Sequence, residues 1–168
     1  MLSSFNRIRN KSEKDGQYPA CDGIGDIMPL RVLLDTSVLR AGFVSNAGAS
    51  RRLLLAMFTG RVTAIASTAL MLEYEEVLLR PETLEPAGVA ARDALAFLDG
   101  FCAVCRPVTV RLRWRPQSPD SGDDLVIDAA VNGLADAIAT FNLRDLRAPA
   151  ARFGIPAEPP ADTLRRIR

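Results

Sequence analysis

The sequence contains no histidine and only three cysteines, Cys21, Cys102 and Cys105. An odd number without a secreted-framework spacing points to a reducing cytoplasm. Cys102 and Cys105 form a C-x-x-C. Without a second pair or any histidine a zinc site lacks ligands, which leaves two thiols in an apolar strand region. Lysine is confined to Lys11 and Lys14, and every later basic residue is arginine. No apolar run approaches the ~20 residues of a membrane span. The start, MLSSFNRIRNKSEKDG, lacks the apolar segment of a secretory signal. There is no internal repeat. The formal net charge of +1 sets up no strong field. Any binding of nucleic acid must then come from a local patch.

What is present fits one globular domain: 168 residues, 48% apolar and 24% charged. Residues 1–28 are rich in Ser, Asn, Asp and Gly and hold no sustained period, so they read as a disordered leader. Met28 directly precedes PLRVLLDTS, which makes a mis-called start the other reading of that leader. From residue 29 to 168 strand and helix patterns alternate. Strands are expected at 31–35, 62–67, 103–110 (interrupted or ended by Pro107) and 136–140. Helical segments are expected at 37–42, 51–59, 68–79 (ending near Pro81), 87–100, 123–134, 148–153 and 161–167. RWRPQSPDSG reads as a loop and NLRDLR as a basic turn. This alternation predicts an α/β protein with a mainly parallel sheet and helices on both faces.

Sites in such folds lie beyond the carboxyl ends of the strands. Asp35 stands there, directly after the apolar run RVLL. A carboxylate at the end of a buried strand needs compensation. Either it caps the next helix or it binds a cation. Glu73 belongs to an acidic run with Glu75 and Glu76, the usual mark of a solvated face. Its spacing from Leu70 and Val77 nevertheless puts it on the apolar side of its helix. Asp123 and Asp124 suit a helix N-terminus, and Asp128 follows one turn later. Thr140 and Asn142 follow the last expected strand, with Asp145 close behind. Acids converging on one cleft repel each other unless a cation lies among them. Oxygen ligands without histidine suit Mg²⁺ or Mn²⁺, the equipment of phosphodiester cleavage.

At this point the residues carry a resemblance. VLLDTSVL, STALMLEYEEVL and DDLVIDAAVNGLADAIATFNLRDL resemble a PIN-domain ribonuclease, in particular the VapC-like toxins of bacterial type II toxin–antitoxin systems. No single motif is specific; the order and spacing of the blocks over residues 30–160 carry it. The resemblance implies a three-layer α/β/α fold, a Mg²⁺- or Mn²⁺-dependent endoribonuclease, an RNA substrate, a cognate antitoxin, a cytoplasmic location and often a homodimer. Asp35, Glu73 and Asp124 match the family's first three acids, and Thr140 its Ser/Thr after the last core strand. The fourth acid falls at Asn142, an amide that can ligate a metal but adds no charge. A single ion is therefore the safer expectation. Asp145 is placed to compensate or to cap the next helix, and Ser37 stands where relatives carry Asn.

On this reading Asp35 and Asp124 bind the metal, and Glu73 ligates it or orients the attacking water. Thr140 and Asn142 fix the carboxylates or bind the phosphate. In-line attack by water leaves a 5′-phosphate and a 3′-hydroxyl. Arg40, Arg51, Arg52, Arg144 and Arg147 are the candidate RNA contacts, because guanidinium forks suit phosphate oxygens. Trp114, within RLRWRP, is either a stacking surface for a base or a packing or partner contact.

Other classes fail on particular residues. A phosphate-accepting receiver domain needs a lysine that residues 29–168 lack. A haloacid-dehalogenase-like phosphatase needs a second Asp where Ser37 stands. A dinucleotide-binding domain needs a Gly-rich turn that DTSVLRAG does not provide. The serious rival is a PIN-like binding or scaffold module with weakened catalysis, for which Asn142 is the best support.

Overall fold

The computed structural model describes residues 29–114 and 121–167. The expected leader, residues 1–28, lies outside them, as do Arg115 and most of the loop after it. Five parallel strands form one sheet. They are β1 (Arg31–Leu34), β2 (Thr63–Ser67), β3 (Arg106–Val108), β4 (Ala137–Ala139) and β5 (Ala157–Glu158), in the spatial order β3-β2-β1-β4-β5.

Eight helices lie among the described residues: α1 (Thr36–Val44), α2 (Ala49–Phe58), α3 (Thr68–Leu78), α4 (Pro81–Ala87), α5 (Ala91–Val104), α6 (Ser121–Asn132), α7 (Leu143–Ala151) and α8 (Pro160–Arg166). Helix α1 packs on α2, α3 and α4, and α2 on α8, while α6 packs on α7 and on β1 and β2. The sheet is thus the middle of three layers, as the alternation predicts. No helix among the described residues is long and apolar enough to cross a membrane.

The central strands are apolar on both faces because both faces are covered. Val32, Leu33, Leu34, Ala64, Ile65, Ala137 and Ile138 are all buried. Each fully buried Leu or Ile contributes roughly 1.5–3 kcal/mol. An aromatic cluster closes one side of the core. Phe97 lies 4.9 Å from Phe43 and 5.9 Å from Phe58, and Phe101 lies 6.1 Å from Tyr74 between ring centroids. Gly42 sits where α1 meets α2; a Cβ there would lie 2.9 Å from the Ser50 carbonyl oxygen and 2.5 Å from Leu54 Cδ1. Only glycine lets the two helices approach this closely.

Several expected boundaries move for identifiable reasons. Pro81 does not merely end α3; it opens α4 in the first turn, where its missing N–H is harmless. Gly88, at φ 64°, then closes α4 in the left-handed region. The alanine-rich helix consequently starts at Ala91 rather than 87 and reaches Val104. Cys102 therefore lies in that helix and Cys105 caps it, so neither belongs to a strand. Burial pushes the Cys105 thiol above its ordinary range, with a smaller contribution from Cys102. Pro107 stays inside β3, which tolerates it as an edge strand. NLRDLR is not a turn: α7 begins at Leu143 and runs through Pro149. The two-residue β5 is too short to leave a periodic signal.

Candidate active site at the switch point of the sheet

The chain builds β1, β2 and β3 outward to one side, then returns through α6 to place β4 on the other side of β1. The strand order reverses between β1 and β4, and a crevice forms at such a point beyond the carboxyl ends. Asp35 and Thr140 are the residues that follow these two strands. Asp35 N–H donates to the Ala139 carbonyl at 2.9 Å and Thr140 N–H to the Glu158 carbonyl at 2.9 Å, so both backbones are held by the sheet.

Asp35 occupies the N-cap position of α1 with extended φ and ψ of −68° and 147°, yet its side chain makes no capping bond. Of the two readings the sequence allowed, the cap is not realised. Instead Oδ2 accepts from Thr140 Oγ1 at 2.7 Å and from Ser37 Oγ at 2.6 Å. Oδ1 takes no hydrogen bond among the described residues, and Asp35 is half-buried. Two hydroxyls therefore fix the carboxylate's orientation while one oxygen stays available.

Thr140 is fully buried. Its Oγ1 also accepts from the Asn142 N–H at 2.8 Å, and Asn142 Nδ2 donates to Asp123 Oδ1 at 3.3 Å. A hydrogen-bonded chain thus runs from Ser37 through Asp35, Thr140 and Asn142 to Asp123 in the first turn of α6. Asp123 and its neighbour Asp124 are both buried.

Glu73 approaches from α3. Thr36 Oγ1 donates to its Oε1 at 2.6 Å. Its Oε2 is buried and has no hydrogen-bond partner among the described residues. The adjacent Tyr74 is fully buried, and its hydroxyl donates to the Leu34 carbonyl. Glu73 thus ties α3 to the first residue of α1, and Tyr74 ties it to the end of β1. Burial raises the Tyr74 pKa well above 10.0, and the charges of Cys105, Asp35 and Glu73 push the same way. Tyr74 is accordingly a neutral donor beside two carboxylates.

Among the described residues, no three Asp, Glu, His or Cys side chains are gathered tightly enough to hold a metal between them. A closed protein cage for a cation is thereby absent from this arrangement. Mg²⁺, however, is commonly held by one or two carboxylates and keeps several waters. The donors present are carboxylate, hydroxyl and amide oxygens, all hard. A buried carboxylate oxygen without a donor is costly unless a cation compensates it. Glu73 Oε2 fits a hard cation on that ground, and Asp35 Oδ1, on a half-buried residue, offers a second hard oxygen.

The other candidates are placed as follows. Asp128 is buried, and its Oδ1 accepts from the Trp114 N–H at 3.0 Å. It fastens the segment after β3 to α6, as does Asn132, whose Oδ1 accepts from Arg111 and Leu112 N–H at 3.0 and 3.1 Å. Trp114 leans on Phe153 at 5.5 Å and stays 44% exposed. Asp145 is exposed in the first turn of α7.

Arg40 is a strut: Nε donates to Thr83 Oγ1 at 3.0 Å and Nη2 to the Glu82 carbonyl at 2.7 Å, joining α1 to α4. Arg51 is buried, and that burial lowers its pKa. Arg52 is exposed and lines a cleft of about 430 Å³ together with Gly48, Leu164 and Arg165. Arg144 and Arg147 are exposed on α7, just past Asn142.

Three residues bonded into this region were not singled out by the sequence. Thr36 and Tyr74 were not among the candidates. Asp123 was indistinguishable from an ordinary first-turn acid. Of these only Thr36 left a signal, a second hydroxyl beside Asp35.

A family model described as the PIN domain matches residues 31–144. The chain belongs to the PIN-domain family, whose members are generally nucleases and typically use divalent metals. The match takes in every residue of the hydrogen-bonded chain above. No curated protein matches the sequence.

Proposed function

We propose that this protein is a Mg²⁺- or Mn²⁺-dependent endoribonuclease and acts as the toxin of a toxin–antitoxin pair in the cytoplasm. The observation that carries the nuclease reading is the pair of carboxylates at the switch point. Asp35 is oriented by Thr140 and Ser37, and Glu73 keeps a buried oxygen without a donor. The toxin role rests on the resemblance of the three sequence blocks to VapC-like proteins.

A hard divalent cation bound there supplies a water of lowered pKa and positive charge to offset the phosphate. Asp35 offers Oδ1 and Glu73 offers Oε2. Asp124, buried in the first turn of α6, is the third proposed ligand. Thr140 and Ser37 hold Asp35 in a single rotamer, so ligation does not need the carboxylate to reorganise. Thr36 does the same for Glu73. Asn142 donates through Nδ2 to Asp123 and brings no charge where the family's fourth acid would stand, so the reading takes a single ion. Arg144, Arg147 and Arg52 are the exposed arginines proposed to hold flanking phosphates. An acidic antitoxin segment would compete for the same arginines, and a homodimer is a further expectation.

The second reading is a PIN-like scaffold with weakened catalysis. It is favoured by Asn142 and by the lack of a three-acid cluster among the described residues. Calorimetry with Mn²⁺, followed by incubation with total RNA and sequencing of the ends, separates the two. The nuclease reading expects Mn²⁺ binding that Asp35→Ala removes, and cleavage that Asp35→Asn abolishes without unfolding the protein. Metal-dependent cleavage that persists in clean Asp35→Asn protein overturns it. Toxicity on expression that a neighbouring small gene relieves tests the toxin role.

A further inference from the structure

We propose that Phe141 is a platform on which a base of a single-stranded RNA substrate stacks, next to the phosphate that is cleaved. The inference rests on the nuclease reading and adds how the strand is gripped. Phe141 is 55% exposed although it sits between two residues locked into the site. Thr140 before it is fully buried and bonded to Asp35, and the Asn142 N–H after it donates to Thr140 Oγ1. The backbone on either side of Phe141 is therefore held, and its ring is more than half exposed. It has no ring partner among the described residues. Trp114, the other exposed aromatic of the described residues, is already engaged with Phe153.

The surroundings match an unpaired nucleotide. Phe141 is the next residue after Thr140, which continues the β1–β4 register opposite Asp35, so it stands one residue beyond the pair that holds the candidate site. Arg144 and Arg147 follow on the first turns of α7, exposed and without an acidic partner among the described residues. An aromatic face for a base beside guanidinium groups for phosphates is the usual apparatus for gripping single strands. A duplex cannot use it, because the faces of its bases are already stacked.

The experiment uses the full chain without divalent metal, so that no substrate is consumed. A single-stranded RNA oligonucleotide carrying 2-aminopurine is titrated with wild type, Phe141→Ala and Phe141→Trp. Stacking should quench the fluorophore with wild type and with Phe141→Trp. Phe141→Ala should lose the quenching and bind about ten- to hundredfold more weakly. The same sequence as a duplex should bind all three alike. Equal quenching and affinity for wild type and Phe141→Ala, with RNA still bound, overturns the stacking role and leaves the nuclease reading intact. Failure of the wild type to bind any RNA overturns the stacking role, while the nuclease reading stands or falls separately on the Mn²⁺-dependent cleavage assay. A change of oligomeric state on Phe141→Ala with unchanged RNA affinity assigns the ring to a protein contact and overturns the proposal.

Discussion

Replacing Thr140 by valine tests whether the hydroxyl between Asp35 and Asn142 holds the site together. The side chains are nearly isosteric, so the perturbation is chemical. Two bonds are lost, the donation to Asp35 Oδ2 at 2.7 Å and the acceptance from Asn142 N–H at 2.8 Å. A hydrogen bond to a charged group contributes about 1.5–3 kcal/mol, and the half-buried Asp35 puts this one at the lower end. The Asn142 N–H is partly reached by water, so leaving it unpaired costs about 1 kcal/mol. The added methyl returns about 0.8 kcal/mol.

The net loss is about 2 kcal/mol, which for a domain of this size lowers Tm by about 4–8 °C. Thr140→Ser is the control: it keeps both bonds, sheds one methyl and costs about 0.8 kcal/mol. Urea and thermal unfolding of both variants, with RNA cleavage measured alongside, give the comparison. Valine should be the more destabilising and should lose activity, whereas serine keeps it. If serine destabilises more than valine, the methyl packing rather than the hydroxyl matters, and the argument for a fixed Asp35 fails.

Burial and the nearby charges raise the Tyr74 pKa above 10.0, so the folded state holds this proton longer than the unfolded chain does. The associated stability is fully present below pH 10 and is lost as pH rises toward the higher folded-state value. Tyr74→Phe should flatten that alkaline loss in a stability–pH profile while costing about 1 kcal/mol at neutral pH for the bond to Leu34. An unchanged alkaline slope would show that another group is responsible. Gly42→Ala should destabilise by roughly 1–3 kcal/mol through overpacking of α1 on α2, despite alanine's better helix propensity. Unfolding in urea with no shift of midpoint would mean that the two helices separate freely.

Periodicity and β-branched content were enough to read β1, β2 and β4, and with them the alternation that makes a parallel sheet. Composition also excluded histidine- and zinc-based chemistry, and the three blocks around Asp35, Glu73 and Thr140 carried the family. These features are legible because each depends on spacing within one element or on residue type alone. The helices around Pro81 and Pro149 were not legible, because proline's effect depends on where in a helix it falls.

The partners of each acid were equally hidden. Whether Asp35 caps α1 or faces Thr140, 105 residues away, is decided by the order of strands in the sheet. That Arg40 is a strut and Arg51 is buried follows from how α1 and α2 pack, not from their sequence. Residue type sets which groups are able to meet a cation or a phosphate. Burial and long-range hydrogen bonds, which exist only once the layers have packed, set which of them are free to do so.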